Sequence, residues 1–188
     1  QVFNGGWTYS KQGATPNGTN GYSDTKFIPS SNLVATSQSS SIYSRSNTNN
    51  GILANCDFSG AVTNVGNLTI IAGLNYAGIN AFTRYGQVTD VRITTAQRVD
   101  GYFVGSRTGS TTLKLWRSNT LLGTQNSSET GICNIAPYIG AENVNGVATY
   151  FTNRQYCFAH AGDGLSDSEA SAMYTSVQSY QTSMNRQV

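Results

Sequence analysis

The chain has 188 residues, of which 38% are hydrophobic and 11% charged, with a formal net charge of +2. That length and apolar content suit one domain with a sizeable core, while the charged share falls far below the roughly 25% of an average soluble protein. The 11 Lys and Arg are scattered and no apolar run approaches 18 residues, which argues against a nucleic-acid footprint, a basic membrane-surface patch or a membrane-spanning helix.

The missing charge is replaced by 22 Ser, 22 Thr, 19 Asn and 20 Gly. A surface wetted by hydroxyls and amides fits a secreted, cell-surface or virion protein better than a cytosolic enzyme. Residue 1 is Gln and no signal peptide precedes it, so the chain reads as a processed form or a piece of something longer. The three cysteines, Cys56, Cys133 and Cys157, have no paired spacing. With a single His beside them they do not make a structural zinc site, which needs four soft ligands. Buried free thiols are the expected state, with a Cys133–Cys157 cross-strand contact as the alternative.

In chain order, residues 1–33 are expected to be irregular. They hold a short strand candidate at Trp7-Thr8-Tyr9, a turn-dense stretch from Thr15 to Gly21, and an edge segment at Phe27-Ile28-Pro29, where proline cannot donate into a ladder. Ser41–Arg45 and Gly51–Cys56 follow as strand candidates. Asn67–Leu74 puts Leu68, Ile70 and Leu74 on one face. Asp90–Thr94 alternates, Gly101–Gly105 carries Tyr102-Phe103-Val104, and Thr112–Arg117 points Leu113 and Leu115 one way and Lys114 and Trp116 the other. Ser118-Asn119-Thr120 turns that strand into Leu121-Leu122-Gly123, with Asn119 expected in the left-handed conformation. Pro137–Ala141 and Gln155–His160 are the last strands, with Tyr156, Phe158 and His160 expected on one face and Cys157 on the other.

The end of the chain is a helix over about 166–184. Ser166 as N-cap and Glu169 three residues on form a capping box, and Asp167 and Glu169 place negative charge in the first turn. Ala170, Met173, Val177, Tyr180 and Met184 recur at spacings of 3 and 4 as the expected buried stripe. Roughly ten short strands at spacings of about 8–14 residues, with no βαβ alternation, predict an all-β, two-sheet antiparallel jelly-roll sandwich with one C-terminal helix. Residues 1–188 read as a single domain.

The segments Tyr43–Asn47, Gly101–Arg107, Leu113–Leu121, Tyr138–Ala141, Asn153–Ala159 and Gly162–Ala170, taken with the helix ending at Asn185-Arg186, resemble the laminin-G-like, concanavalin-A-like jelly-roll domains of phage structural proteins. The resemblance covers about residues 8–188. It implies two antiparallel sheets with the helix packed on one side, and a choice among carbohydrate binder, adhesion module, virion decoration and glycosidase that fold alone does not make. It also implies a virion or extracellular location, with a glycan or host-surface receptor and other virion subunits as partners, and an oligomer such as a trimer.

Glycosidases of this fold carry their two carboxylates at alternate positions of one strand, so that both face the cleft. None of the nine Asp and Glu here is so placed on a strand. His160 is the sole histidine, no Gly-x-Ser-x-Gly elbow accompanies it, and Cys157 is badly placed to pair with it. The expectation is therefore a protein that is not an enzyme and has no cofactor. Calcium, used by some relatives, is a lesser candidate at Asn143–Gly146 and Asp163-Gly164. A sugar site needs aromatic faces with a few amides and guanidinium groups. The candidate ligand-binding residues are Trp116, Trp7, Tyr9, Arg107, Asn143 and Asn145.

Overall fold

The computed structural model describes residues 1–47, 57–62, 66–76, 79–85, 91–93, 99–126, 128 and 131–188. Among them, β1 (Val2–Asn4), β2 (Trp7–Ser10), β3 (Gly13–Pro16) and β4 (Tyr22–Asp24) precede a short helix, α1 (Pro29–Asn32). Then come β5 (Ser37–Ser44), β6 (Phe58–Val62), β7 (Gly66–Tyr76), β8 (Ile79–Tyr85), β9 (Val91–Ile93), β10 (Gly101–Thr108), β11 (Thr112–Arg117) and β12 (Thr120–Asn126). The chain ends with β13 (Tyr138–Ile139), β14 (Glu142–Val144), β15 (Val147–Thr149), β16 (Tyr156–Gly162) and α2 (Asp167–Ser183).

These strands make a jelly-roll sandwich. The first sheet runs β1-β4-β13-β6-β7-β8-β9, with the β14–β15 hairpin against β6, and the second runs β12-β11-β10-β5-β16-β3-β2. Among the described residues pairing is antiparallel except where β14 lies parallel to β6. Gly140, at φ +84°, reverses the chain there so that both β13 and β14 reach β6.

The expected irregular N-terminus is instead four short strands. β1 and β4 extend one sheet, and β2 and β3 close the edge of the other. Their loops are held by local polar contacts that leave no hydrophobic period to read. Asn17 Oδ1 accepts from the N–H groups of Thr19, Asn20 and Gly21 at 3.0–3.1 Å. Gly5, at φ +66°, turns β1 into β2 where an added Cβ would sit 2.0 Å from the Asn20 carbonyl. Pro29 is not in an edge strand but opens α1, a position where its missing N–H leaves no bond unmade.

Two apolar clusters sit on opposite faces of the second sheet. Ile42, Phe103, Leu113, Leu115 and Tyr156 face inward and meet Phe58, Cys133 and Ile139 between the sheets. Tyr43, Tyr102, Val104 and Trp116 face outward and meet Ala170 and Val177 of α2. β5 therefore has both faces covered, although it reads Ser-Gln-Ser-Ser-Ser-Ile-Tyr-Ser. Its hydroxyls are bonded: Ser39 Oγ donates to the Asp163 carbonyl at 2.6 Å, Ser41 Oγ accepts from the Tyr102 hydroxyl at 2.8 Å, and Ser37 Oγ accepts from the Gly164 N–H at 2.9 Å.

The capping box of Ser166 and Glu169 is present. The buried line of α2 is not the expected stripe: it runs through Ala170, Val177 and Gln181, with Met173 and Tyr174 packed beside it, while Tyr180 and Met184 are about half exposed. Gln181 takes the inward position one residue beyond Tyr180, and the Arg186 guanidinium lies 5.3 Å from the Tyr180 ring. At the β11–β12 hairpin Ser118, not Asn119, takes positive φ, at +53°. Cys133 lies between the sheets and Cys157 on the helix side, so the proposed contact between them is absent. Cys56, the strand expected over Gly51–Cys56 and the side chains of Leu68, Ile70 and Leu74 lie outside the described residues.

Candidate functional site

The six predicted ligand-binding residues separate into a covered set and an exposed set. Trp116 does point away from Leu113 and Leu115, but α2 roofs that face and leaves the indole 7% exposed. Lys114, 6.0 Å from the indole, bridges onward to Asp167 of α2 at 2.5 Å. Arg107 is wholly buried in β10, and its Nη1 donates to the Ser110 carbonyl at 3.3 Å. Asn143 is 3% exposed and clamps the β14–β15 hairpin: Nδ2 donates to the Ala136 carbonyl at 2.7 Å and Oδ1 accepts from the Gly146 N–H at 2.8 Å. These three are structural residues, and the amide oxygen offered to calcium at Asn143 is already bonded within the hairpin. Asn145 is exposed at the tip of that hairpin with φ +50°, apart from the cavity described next.

Trp7 and Tyr9 lie together on β2 at the open edge of the sandwich, and Phe3 of β1 joins them. The Phe3 ring meets Trp7 edge-on at 5.0 Å and Tyr9 at 5.5 Å, while the Trp7 and Tyr9 planes differ by only 14° at 6.4 Å. Trp7 is fixed from below, its Nε1 donating to the Asn4 carbonyl at 3.0 Å and to that of Tyr22 at 3.3 Å. Tyr9 is 61% exposed and Phe3 45%. Trp7 is half-buried against the inter-sheet core, so two rings, Phe3 and Tyr9, stay in water, an uncommon use of apolar area on a folded surface. Sequence reasoning missed Phe3 because no alternation marks Val2–Asn4 as a strand.

Beside the rings opens a cavity of about 300 Å³, bordered by Phe3, Trp7, Ile139, Tyr156, Ala159 and Arg186. It lies where β3 leaves β16, since the two pair only at Ala14 and Tyr156. A second cavity of about 220 Å³ continues past Gln1, Ile139 and Ala159 to Phe27, Phe58 and His160.

The wall is built on a buried ionic group that the sequence did not reveal. Arg154 Nη1 lies 2.8 Å from both carboxylate oxygens of Asp57, and both side chains are fully buried. The Tyr156 hydroxyl donates to the same carboxylate. Burial, with the Asp57 charge adding to it, pushes the Tyr156 phenol well above its ordinary value, so it stays a neutral donor. A bulge between Tyr156 and Phe158 undoes the expected alternation of β16: Tyr156 faces the inter-sheet core while Cys157 and Phe158 both join the helix side. Burial pushes the Cys157 thiol up to about 11, against the pull of Arg186 and Arg45, so it is protonated at neutral pH. His160 is pushed down by burial, and its Nδ1 is enclosed with no hydrogen-bond partner among the described residues.

Most of the carboxylates are engaged structurally. Asp24 meets Lys26, Asp57 meets Arg154, Asp100 meets Arg117, Asp167 meets Lys114, and Glu169 caps α2. The described residues contain no group of three or more His, Cys, Asp or Glu side chains able to hold a metal. None of their helices is long and apolar enough to cross a membrane.

No family model matches the chain, and no curated protein matches it in sequence. Solved structures match it in fold. One is Domain 4 of AbnA, a GH43 extracellular arabinanase from Geobacillus stearothermophilus, in complex with arabinotriose. It superposes with a TM-score of 0.56 at 14% identity, covering 90% of this chain and 82% of that one. The CBM40 of the Ruminococcus gnavus IT-sialidase superposes at 0.56 with 13% identity, over 91% of this chain and 97% of that one, and the same domain is also solved bound to α2,3-sialyllactose. The binding domain of botulinum neurotoxin serotype D/C gives 0.57 at 12% identity over 94% of this chain, which spans only 47% of that domain. Identities this low establish a common jelly-roll fold and nothing finer.

Proposed function

We propose that this domain is a non-enzymatic glycan-binding module whose recognition surface is the Phe3–Trp7–Tyr9 wall and the cavity beside it. The observation that carries the reading is the exposure of Phe3 and Tyr9 around the half-buried Trp7, next to a concave space. Sugar rings present C–H faces that pack on aromatic rings, and their hydroxyls need only a few fixed polar groups. Trp7 is held by two hydrogen bonds and arrives preorganised, so little ordering opposes binding. Two of the fold neighbours hold a sugar, arabinotriose in one and α2,3-sialyllactose in the other. The scarcity of charge and the phage-like segments support a place on an exposed particle, on a tail fibre or capsid decoration, with a host-surface glycan as the receptor.

The test is a glycan array with the isolated domain, repeated with Tyr9→Ala and Phe3→Ala. Saturable binding to at least one glycan, weakened about tenfold by either substitution, is expected, a change of about 1.4 kcal/mol. A silent array on folded protein overturns the reading and favours a module that packs against neighbouring subunits.

A further inference from the structure

We infer that the glycan taken by this site is acidic, its anionic group paired with the guanidinium of Arg186. The inference rests on the glycan-binding reading and names the substrate class.

Arg186 follows α2 and borders the same cavity as Phe3 and Trp7. Its carbonyl is fixed by Arg45 Nε, which donates to it at 2.6 Å, while Arg45 Nη1 donates to Gln155 Oε1 at 2.8 Å. The guanidinium is held in place over the Tyr180 ring. It forms no hydrogen bond with any described residue, and its Nε is shut away from solvent without a partner. A guanidinium carries five donors in a rigid fork suited to a carboxylate or sulfate. An enclosed Nε without a partner is unusual in a folded protein, where buried polar groups find partners.

The lining does not oppose an anion. No Asp or Glu borders the cavity. Asp57, which Tyr156 meets behind the wall, is paired with Arg154 and accepts from the Tyr156 hydroxyl. Arg45 adds a second positive charge, and both arginines pull the Cys157 thiol down, which places their charge beside that cavity residue. Aromatic residues and an arginine whose guanidinium has no partner among the described residues, bordering one cavity, match a sugar whose ring carries an acidic substituent.

Binding is measured by calorimetry for lactose, α2,3-sialyllactose and a sulfated lactose, in 20 mM and 500 mM salt, on the parent domain and on Arg186→Gln. At least one acidic sugar is expected to bind ten times or more tighter than lactose at low salt, with the preference shrinking at high salt and lost in Arg186→Gln. The two acidic sugars tell a carboxylate from a sulfate. Arg186→Gln keeps the backbone contact with Arg45, and unchanged melting shows it folded. Equal binding of lactose and both acidic sugars, or a preference that survives Arg186→Gln, overturns the acidic assignment and leaves the glycan site standing. No binding by any of these or by a wider neutral panel overturns the glycan reading itself.

Discussion

The two tryptophans stand in opposite situations. Trp116 lies on a central strand, on the face away from the inter-sheet core, and is covered by a helix. Trp7 lies on an edge strand of the same sheet, and its neighbours Phe3 and Tyr9 remain in water. Alternation along a strand tells which side of the sheet a residue takes, but not whether another layer covers that side. For Trp116 the second signal was available: β10 carries Tyr102-Phe103-Val104 and β11 carries Leu115-Trp116, apolar on both faces, which is the mark of a strand buried twice. A helix with one apolar stripe must lie on some such surface, and α2 lies on this one.

Replacing each tryptophan's environment tests the contrast. Trp116→Ala removes a large side chain from the cluster under α2 and is expected to cost about 3–5 kcal/mol of stability. Urea unfolding measures it, and glycan affinity of the molecules still folded should not change. Tyr9→Ala should do the reverse, reducing affinity while leaving the unfolding free energy within about 0.5 kcal/mol of the parent. A Trp116→Ala domain that stays stable and loses its ligand would invert the assignment of the two regions.

Much of the architecture was legible in the sequence, and the reasons for the failures are local. The middle strands and the capping box of α2 carry strong patterns and stand where they were expected. β5 was caught only at its end, because serines whose hydroxyls are bonded inside the protein look like surface in a hydropathy reading. The four N-terminal strands hold three or four residues each, too short for a period to show. For the site, Trp7 and Tyr9 could be named, yet Phe3, Arg186 and the Asp57–Arg154 pair could not. Phe3 reaches the patch by a glycine turn, Arg186 by a tail folded back along the helix, and Asp57 meets Arg154 across 97 positions of sequence.

A smaller effect is expected at the roof's edge. Ser166→Ala removes the oxygen that accepts from the Glu169 N–H, and loss of an N-cap typically costs about 1 kcal/mol. Amide exchange in the first turn of α2 should quicken with little change in the sandwich strands. Glu169 answers to pH as well: hydrogen bonds from Ser166 hold its carboxyl below the ordinary value. The cap's contribution is therefore complete above the ordinary glutamate range and fades as pH falls through the lowered value. Equal exchange in parent and variant would mean that packing alone fixes the end of the helix.

The smallest effect is expected at His160. Its Nδ1 is enclosed with no hydrogen-bond partner among the described residues, and its ring lies beside Gly162 on the face of β16 opposite Ala159 and Ala161. Burial lowers the folded-state value below 6.5, so on acidification the unfolded chain takes up a proton before the native one does. Stability is then constant above about pH 7 and declines as pH falls from about 6.5 toward the lowered native value. Thermal melts from pH 7.5 to 5.5 should show this slope in the parent and a flatter one in His160→Gln, over a range where carboxylates are still ionised. Parallel slopes would mean that the imidazole is wetted in solution.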